Sequence, residues 1–191
     1  MNSLCCMDEM VVWLRASRKF GYSPRGRRAK ATKKPQTQRL NVMTSLNSNG
    51  IIEFDIIQAT KNKRGFNAED VLNHIERVAT KLKSGTYFIF DQASIHTCEQ
   101  VRNSDIWLKY NLHPLYIPVS CPELNAVEYW NNYCKEFLLG EKPQTIDQLK
   151  DALHECYSTL PKRFCKSWIK YSLNCINVVL KDTKFHQQHI E

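Results

Sequence analysis

TYFIFD, residues 86–91, sets the reading of the whole chain. Tyr87, Phe88, Ile89 and Phe90 form an apolar run too short for a helix, and it stops at an acid, Asp91. This is a short buried strand. Before it, NAEDVLNHIERVATKLK (67–83) spaces Val71, Leu72, Ile75, Val78, Ala79 and Leu82 as one helical face behind Asn67 as N-cap, with Gly85 ending the helix. After it, Val101, Ile106, Trp107 and Tyr110 predict one helix over about 98–110. PLYIPV (114–119) then predicts a strand whose prolines suit a sheet edge. Nearer the N-terminus, NVMTSLN (41–47) and IIEFDIIQA (51–59) flank Ser48-Asn49-Gly50, a hairpin signal, and SLCCMDEMVVWL (3–14) reads as a first strand. Further helices are predicted over 124–138, over 145–159 with Thr145 as cap and Gln148 in the capping-box position, and over 161–180, with the last ten residues frayed. Three strands, helix, strand, helix, strand and then helices describe an α/β chain, a mixed sheet flanked by helices.

The 191 residues carry a net charge of +8, with 42% hydrophobic and 24% charged residues. This is ordinary globular usage, and it excludes a disordered, collagen-like or coiled-coil chain. The length suits one compact domain with additions. No apolar run is long enough to span a membrane, and MNSLCCMDEM lacks the basic and then apolar regions of a signal peptide. The eight cysteines show neither a CxxC pair nor zinc-ligand spacing, so they read as reduced thiols of an intracellular protein, expected in the cytoplasm. The charge is unevenly placed. Residues 1–40 hold ten basic and two acidic residues, whereas 41–191 hold 17 of each. A neutral body with one basic segment points to a polyanion contact.

Three acids occupy unusual settings. Asp8 follows an apolar strand and precedes Glu9, Asp91 caps the buried run, and Glu128 flanks the apolar stripe formed by Leu124, Val127, Asn131, Cys134 and Leu138. Strand ends are where α/β folds place their chemistry. A buried carboxylate needs a cation or donors, and three together suit Mg²⁺ or Mn²⁺, hard ions that take oxygen ligands. Taken singly, each acid also reads as a surface residue or a local cap.

The surrounding motifs decide between these readings. FIFDQASIH (88–96) resembles the second-aspartate motif of DDE-superfamily transposases, a strand followed by Asp-Asn-Ala-x-x-His. SCPELNAVE (120–128) resembles that family's Ser-x-Pro-x-Leu-Asn-Pro-x-Glu segment. Asp8-Glu9 with the downstream GYSPRGRR resembles the first-aspartate strand and its Pro-Arg-Gly element. The ordered set runs from about residue 5 to 138 and is most similar to the Tc/mariner group, in its prokaryotic insertion-sequence branch. Gln92 stands where the family has Asn, Ala126 where it has Pro, and Trp130 two rather than three residues after Glu128, while Lys135 keeps the family's offset of seven.

The resemblance implies a ribonuclease-H-like fold over residues 1–140, with 141–191 as a helical extension packed on it. The family usually carries N-terminal DNA-reading domains, and their expected absence here is a departure from it. The resemblance further implies Asp8, Asp91 and Glu128 as a catalytic triad holding two Mg²⁺ or Mn²⁺ ions. The activity would be DNA hydrolysis and strand transfer in cut-and-paste transposition, by a split or truncated form or by an inactive remnant that binds DNA or a partner transposase. The implied partners are transposon ends and target DNA, with a homodimer or a separate DNA-binding subunit, at the nucleoid. His96 would support the metal ligands or meet a phosphate, or simply start a helix. Asn125 would orient Glu128 or cap its helix, Glu9 would be structural or a fourth ligand, and Lys135 would meet a phosphate or stay solvated. Arg25, Arg27, Arg28, Lys30, Lys33 and Lys34, in a loop rich in Gly and Pro, would bind DNA phosphates without reading bases.

Overall fold

β1 (Leu4–Trp13) buries side chains on both of its faces, and this makes it the centre of the architecture. The computed structural model describes residues 4–14, 22–27 and 38–187, with side chains as far as Val179. β1 pairs antiparallel with β2 (Arg39–Asn47), which pairs antiparallel with β3 (Gly50–Gln58). On its other edge β1 runs parallel to β4 (Tyr87–Phe90), and β4 runs parallel to β5 (His113–Tyr116). The sheet order is β3-β2-β1-β4-β5. The β2–β3 hairpin turns through Ser48 and Asn49. The Asn47 side chain accepts from the Asn49 amide, and Gly50 takes the positive φ of 138° that other residues adopt at a cost.

Alternation along the strands sorts the core into two layers. Cys6, Met10, Val12, Leu40, Val42 and Ile89 face one side, where α5 (Val127–Glu141), α6 (Ile146–Thr159) and α7 (Lys162–Gln187) supply Trp130, Leu149, Leu153 and Ile169. Cys5, Met7, Met43, Phe88 and Phe90 face the other, where α1 (Ala68–Ala79) supplies Val71, Ile75 and Val78. Trp130 is fully buried, and its indole N–H donates to Thr44 Oγ1 at 3.1 Å, which docks α5 on β2. On the opposite face His74 of α1 pairs with Ser45 at 2.9 Å and with Asp55 at 2.7 Å, tying the helix to β2 and β3.

The mixed sheet with helices on both faces agrees with the order read from the sequence, and five boundaries differ. α1 keeps its Asn67 cap, where Asp70 completes a capping box, but ends at Ala79, as the chain tightens into turns that close Lys81 on Val78 and Leu82 on Ala79; Gly85, with a φ of 79°, lies just before β4. The helix expected over 98–110 is two single turns, α3 (Glu99–Arg102) and α4 (Ile106–Lys109), parted where Asn103 leaves the helix, and a third turn, α2 (Ser94–Thr97), precedes them across the extended backbone of Cys98. β5 is shorter than expected and ends at Tyr116. The expected helix start at Leu124 is a 3₁₀ turn (Pro122–Leu124) followed by α5. α7 continues to Gln187, past the expected frayed end.

Candidate active site

Asp8 lies in the middle of β1, not after it, because β1 goes on pairing with β2 as far as Trp13. The parallel register between β1 and β4 sets Cys6 opposite Ile89. Extended by two residues, it brings Asp8 level with Asp91, just past β4. Cys6 and Ile89 share a core layer, so the residues two further on lie on that same face. α5 packs there and presents Glu128 in its first turn.

Charge makes the convergence visible. Asp8 is 8% exposed. Burial first, and then the neighbouring Glu128, Glu9 and Asp91 carboxylates, push its pKa up to about 8. Asn131, one turn after Glu128, donates from Nδ2 to Asp8 Oδ2 at 3.1 Å and to Glu128 Oε2 at 3.5 Å.

Asp91 is held differently. His96 Nδ1 lies 2.7 Å from Asp91 Oδ1, and His96 Nε2 lies 3.0 Å from Glu9 Oε1. Glu9 neighbours Asp8 on β1 and points to the opposite face. Burial opposes charge on the His96 ring, but the hydrogen bonds to Asp91 and Glu9 outweigh it and raise its pKa to about 10. His96 is therefore an imidazolium clamped between two carboxylates. Its hydrogen bond, with the Ala93 amide behind it, holds the Asp91 carboxyl below the usual range against its partial burial. With both ring nitrogens engaged, His96 has none left to ligate a metal.

A cleft of about 420 Å³ opens beside these groups, lined by Asp91 and Glu128 together with Gln92, Ser120, Cys121 and Asn125. Asn125 donates to the Met7 carbonyl of β1 at 3.0 Å, and its Oδ1 lies 3.4 Å from the Val127 amide. It thus meets the helix start and the central strand, not the Glu128 carboxylate. Gln92 donates to the Ile117 carbonyl, which ties the chain after β4 to the chain after β5. Lys135 is exposed on α5.

Of the basic residues singled out, Arg25 and Arg27 are exposed in a turn whose Gly26 has φ 82°, closed by the Arg27 amide on the Pro24 carbonyl. Arg28, Lys30, Lys33 and Lys34 lie outside the described residues. Sequence reasoning placed Asn131 in the buried stripe without a role; an amide among apolar residues was the available signal. Among the described residues, no group of three His, Cys, Asp or Glu side chains is disposed to hold a metal ion as it stands. No described helix is long and apolar enough to cross a membrane.

Comparison with known proteins gives this geometry a family. No curated protein matches the chain. Among solved structures, the Mos1 strand transfer complex aligns with a TM-score of 0.72 at 20% identity, covering 94% of this chain and 54% of that one. The Mos1 mariner paired-end complex with Mn gives 0.70 at 18% identity, with 92% and 55% covered. The catalytic domain of Mos1 mariner transposase gives 0.60 at 18%, with 87% and 75% covered. These matches establish the fold, that of a transposase catalytic domain, as the ribonuclease-H-like expectation requires. The chain spans about half the length of the full transposase chains it matches. Residues 3–150 match the model of the DDE superfamily endonuclease domain, and the chain belongs to the DDE superfamily of endonucleases.

Proposed function

We infer that this chain is the DNA-cutting and strand-transfer unit of a cut-and-paste transposase, with Asp8, Asp91 and Glu128 as its metal ligands. One observation carries the reading: the central acid is buried among like charges and is raised to about 8. Three carboxylates brought together without a cation repel one another, and a divalent ion relieves that repulsion. The donor set fits Mg²⁺ or Mn²⁺. It is all oxygen, and the one nearby imidazole is already engaged on both nitrogens. Bound metal would supply an activated water or 3′-hydroxyl and a stabilised leaving oxygen. The chain's own residues do the rest. His96 and Glu9 fix Asp91 from one side of the sheet, Asn125 pins the start of α5 to β1, and the cleft exposes Asp91 and Glu128 to a phosphodiester.

The partners on this reading are transposon-end and target DNA, with a second copy or a separate subunit choosing the sequence. The basic segment between β1 and β2 would add phosphate affinity without specificity. Residues 1–140 would form the catalytic unit. The helices after it, α6 and α7, bury Leu149, Leu153 and Ile169 in the same core layer as the sheet and would act as its buttress.

The test is nicking of supercoiled DNA in Mn²⁺. The wild-type chain should nick, and Asp91→Ala should not. Equal activity in the two proteins would sink the assignment. DNA binding without any cutting would instead identify a transposase remnant.

A further inference from the structure

We propose that Asn131 is a positioning residue of this site, whose side-chain amide holds the Asp8 and Glu128 carboxylates in register to receive a divalent cation. The proposal rests on the active-site reading above and goes beyond it, because Asn131 is not one of the three acids.

Asn131 is 1% exposed and lies in the buried stripe of α5 with Val127, Cys134 and Leu138. Asparagine is a mediocre helix former, and burying an amide is unfavourable unless each of its polar atoms finds a partner. A leucine would continue the stripe with neither penalty. The amide is partnered at one end only. Its Nδ2 carries two N–H groups and faces two acceptors on two different elements, Asp8 Oδ2 on β1 at 3.1 Å and Glu128 Oε2 on α5 at 3.5 Å. Its Oδ1 is buried and accepts no hydrogen bond from any described residue.

The orientation of the amide follows from charge. In the ionised state that takes up a cation, an amide rotated by half a turn would point Oδ1 at two carboxylates, and the repulsion would exceed the gain from any other contact. The carboxylates therefore dictate the amide's direction, and its oxygen is left unpaired as a consequence. Asn131 is the one side chain among the described residues that donates to both acids. It places partial positive charge between two groups that otherwise push each other apart, and Asp8 has little water to turn toward. Removing the amide frees both carboxylates to rotate away from a shared ligand position. Replacing a partner of this kind typically weakens metal affinity by about ten- to a hundredfold.

The experiment compares the wild-type chain with Asn131→Leu, Asn131→Ala and Asp91→Ala, without DNA. Mn²⁺ affinity is read by electron paramagnetic resonance of the free ion, and thermal melting is followed in EDTA. The Leu variant should melt in EDTA close to the wild type and bind Mn²⁺ about tenfold more weakly or worse. Its nicking should recover as Mn²⁺ is raised. If the Leu variant does not fold, the Ala variant is read in its place. Wild-type Mn²⁺ affinity in a folded variant overturns the proposal. So does loss of folding in EDTA by both variants, which would make Asn131 a packing residue. If the wild-type chain binds Mn²⁺ no better than Asp91→Ala, the active-site reading itself fails and takes this proposal with it.

Discussion

Replacing Asp8 with asparagine should stabilise the metal-free protein, and increasingly so as pH rises. Asp8 is raised from 3.8 to about 8, by burial and then by the charges of Glu128, Glu9 and Asp91. In the unfolded chain it titrates near the ordinary aspartate value of about 3.9. Below about pH 4 both states are protonated at this position. Between there and about pH 8 the native state keeps a proton that the unfolded state has released, so unfolding free energy falls with rising pH. Above about pH 8 both states are ionised and the loss is complete. The slope is about 1.4 kcal/mol per pH unit, so the wild-type protein should lose ~4 kcal/mol between about pH 5 and pH 8 from this group alone. The asparagine side chain has the same shape, still offers an oxygen to the Asn131 amide, and has no proton to lose. Urea unfolding in EDTA across this range reads the difference between the two proteins, which cancels the titration of groups not coupled to Asp8. Asp8→Asn should gain on the wild type by ~4 kcal/mol over that interval, and saturating Mn²⁺ should reverse the order by stabilising only the wild type. A pH-independent difference would refute the claim that Asp8 sits among converging carboxylates.

Two further outcomes are expected. His96→Gln removes the charge that holds Asp91, and Mn²⁺ affinity measured by calorimetry should fall about ten- to a hundredfold. The pKa of His96 is raised from 6.5 to about 10, so its stabilisation is full below about pH 6.5 and is lost as pH rises through about 10; the Gln variant should lack that decline. Replacing Arg27, Arg28, Lys33 and Lys34 with alanine should flatten the salt dependence of DNA binding by roughly 0.9 in log–log slope for each phosphate no longer neutralised. An unchanged slope in a filter-binding titration would remove the basic segment from the DNA interface.

What was legible in the sequence was local. The Asn67 N-cap, the hairpin at Asn49-Gly50 and the face of α6 behind Thr145 each depend on residues a few positions apart, and each is present. The run 94–109 was not legible, because one-turn helices are too short to establish a period and Cys98 breaks the path with an extended backbone. The end of α1 was missed because the chain leaves the helix through tighter turns at Lys81 and Leu82, before the glycine is reached. At the site, the motifs named the acids with His96 and Asn125, but not the contacts that join them. That His96 bridges to Glu9, and that Asn131 bridges Asp8 to Glu128, depends on which face of β1 each residue takes and on where α5 descends. Both are set by pairing between segments far apart in the chain.

β1 is also where the antiparallel and parallel halves of the sheet meet. The β2–β3 hairpin can zip from its two-residue turn, whereas β1 joins β2 across the longer connection 14–38. The β1–β4 pairing joins Cys6 to Ile89 across most of the intervening chain, and contacts of that span form slowly. Asp8 and Asp91 become neighbours only through that pairing. A chain emerging during synthesis, or one caught half-folded, therefore carries all three acids and still has no shared place for a cation. On the proposed function, a shared place for a cation would exist only once β1 has met both β4 and, across a still longer span of chain, the start of α5.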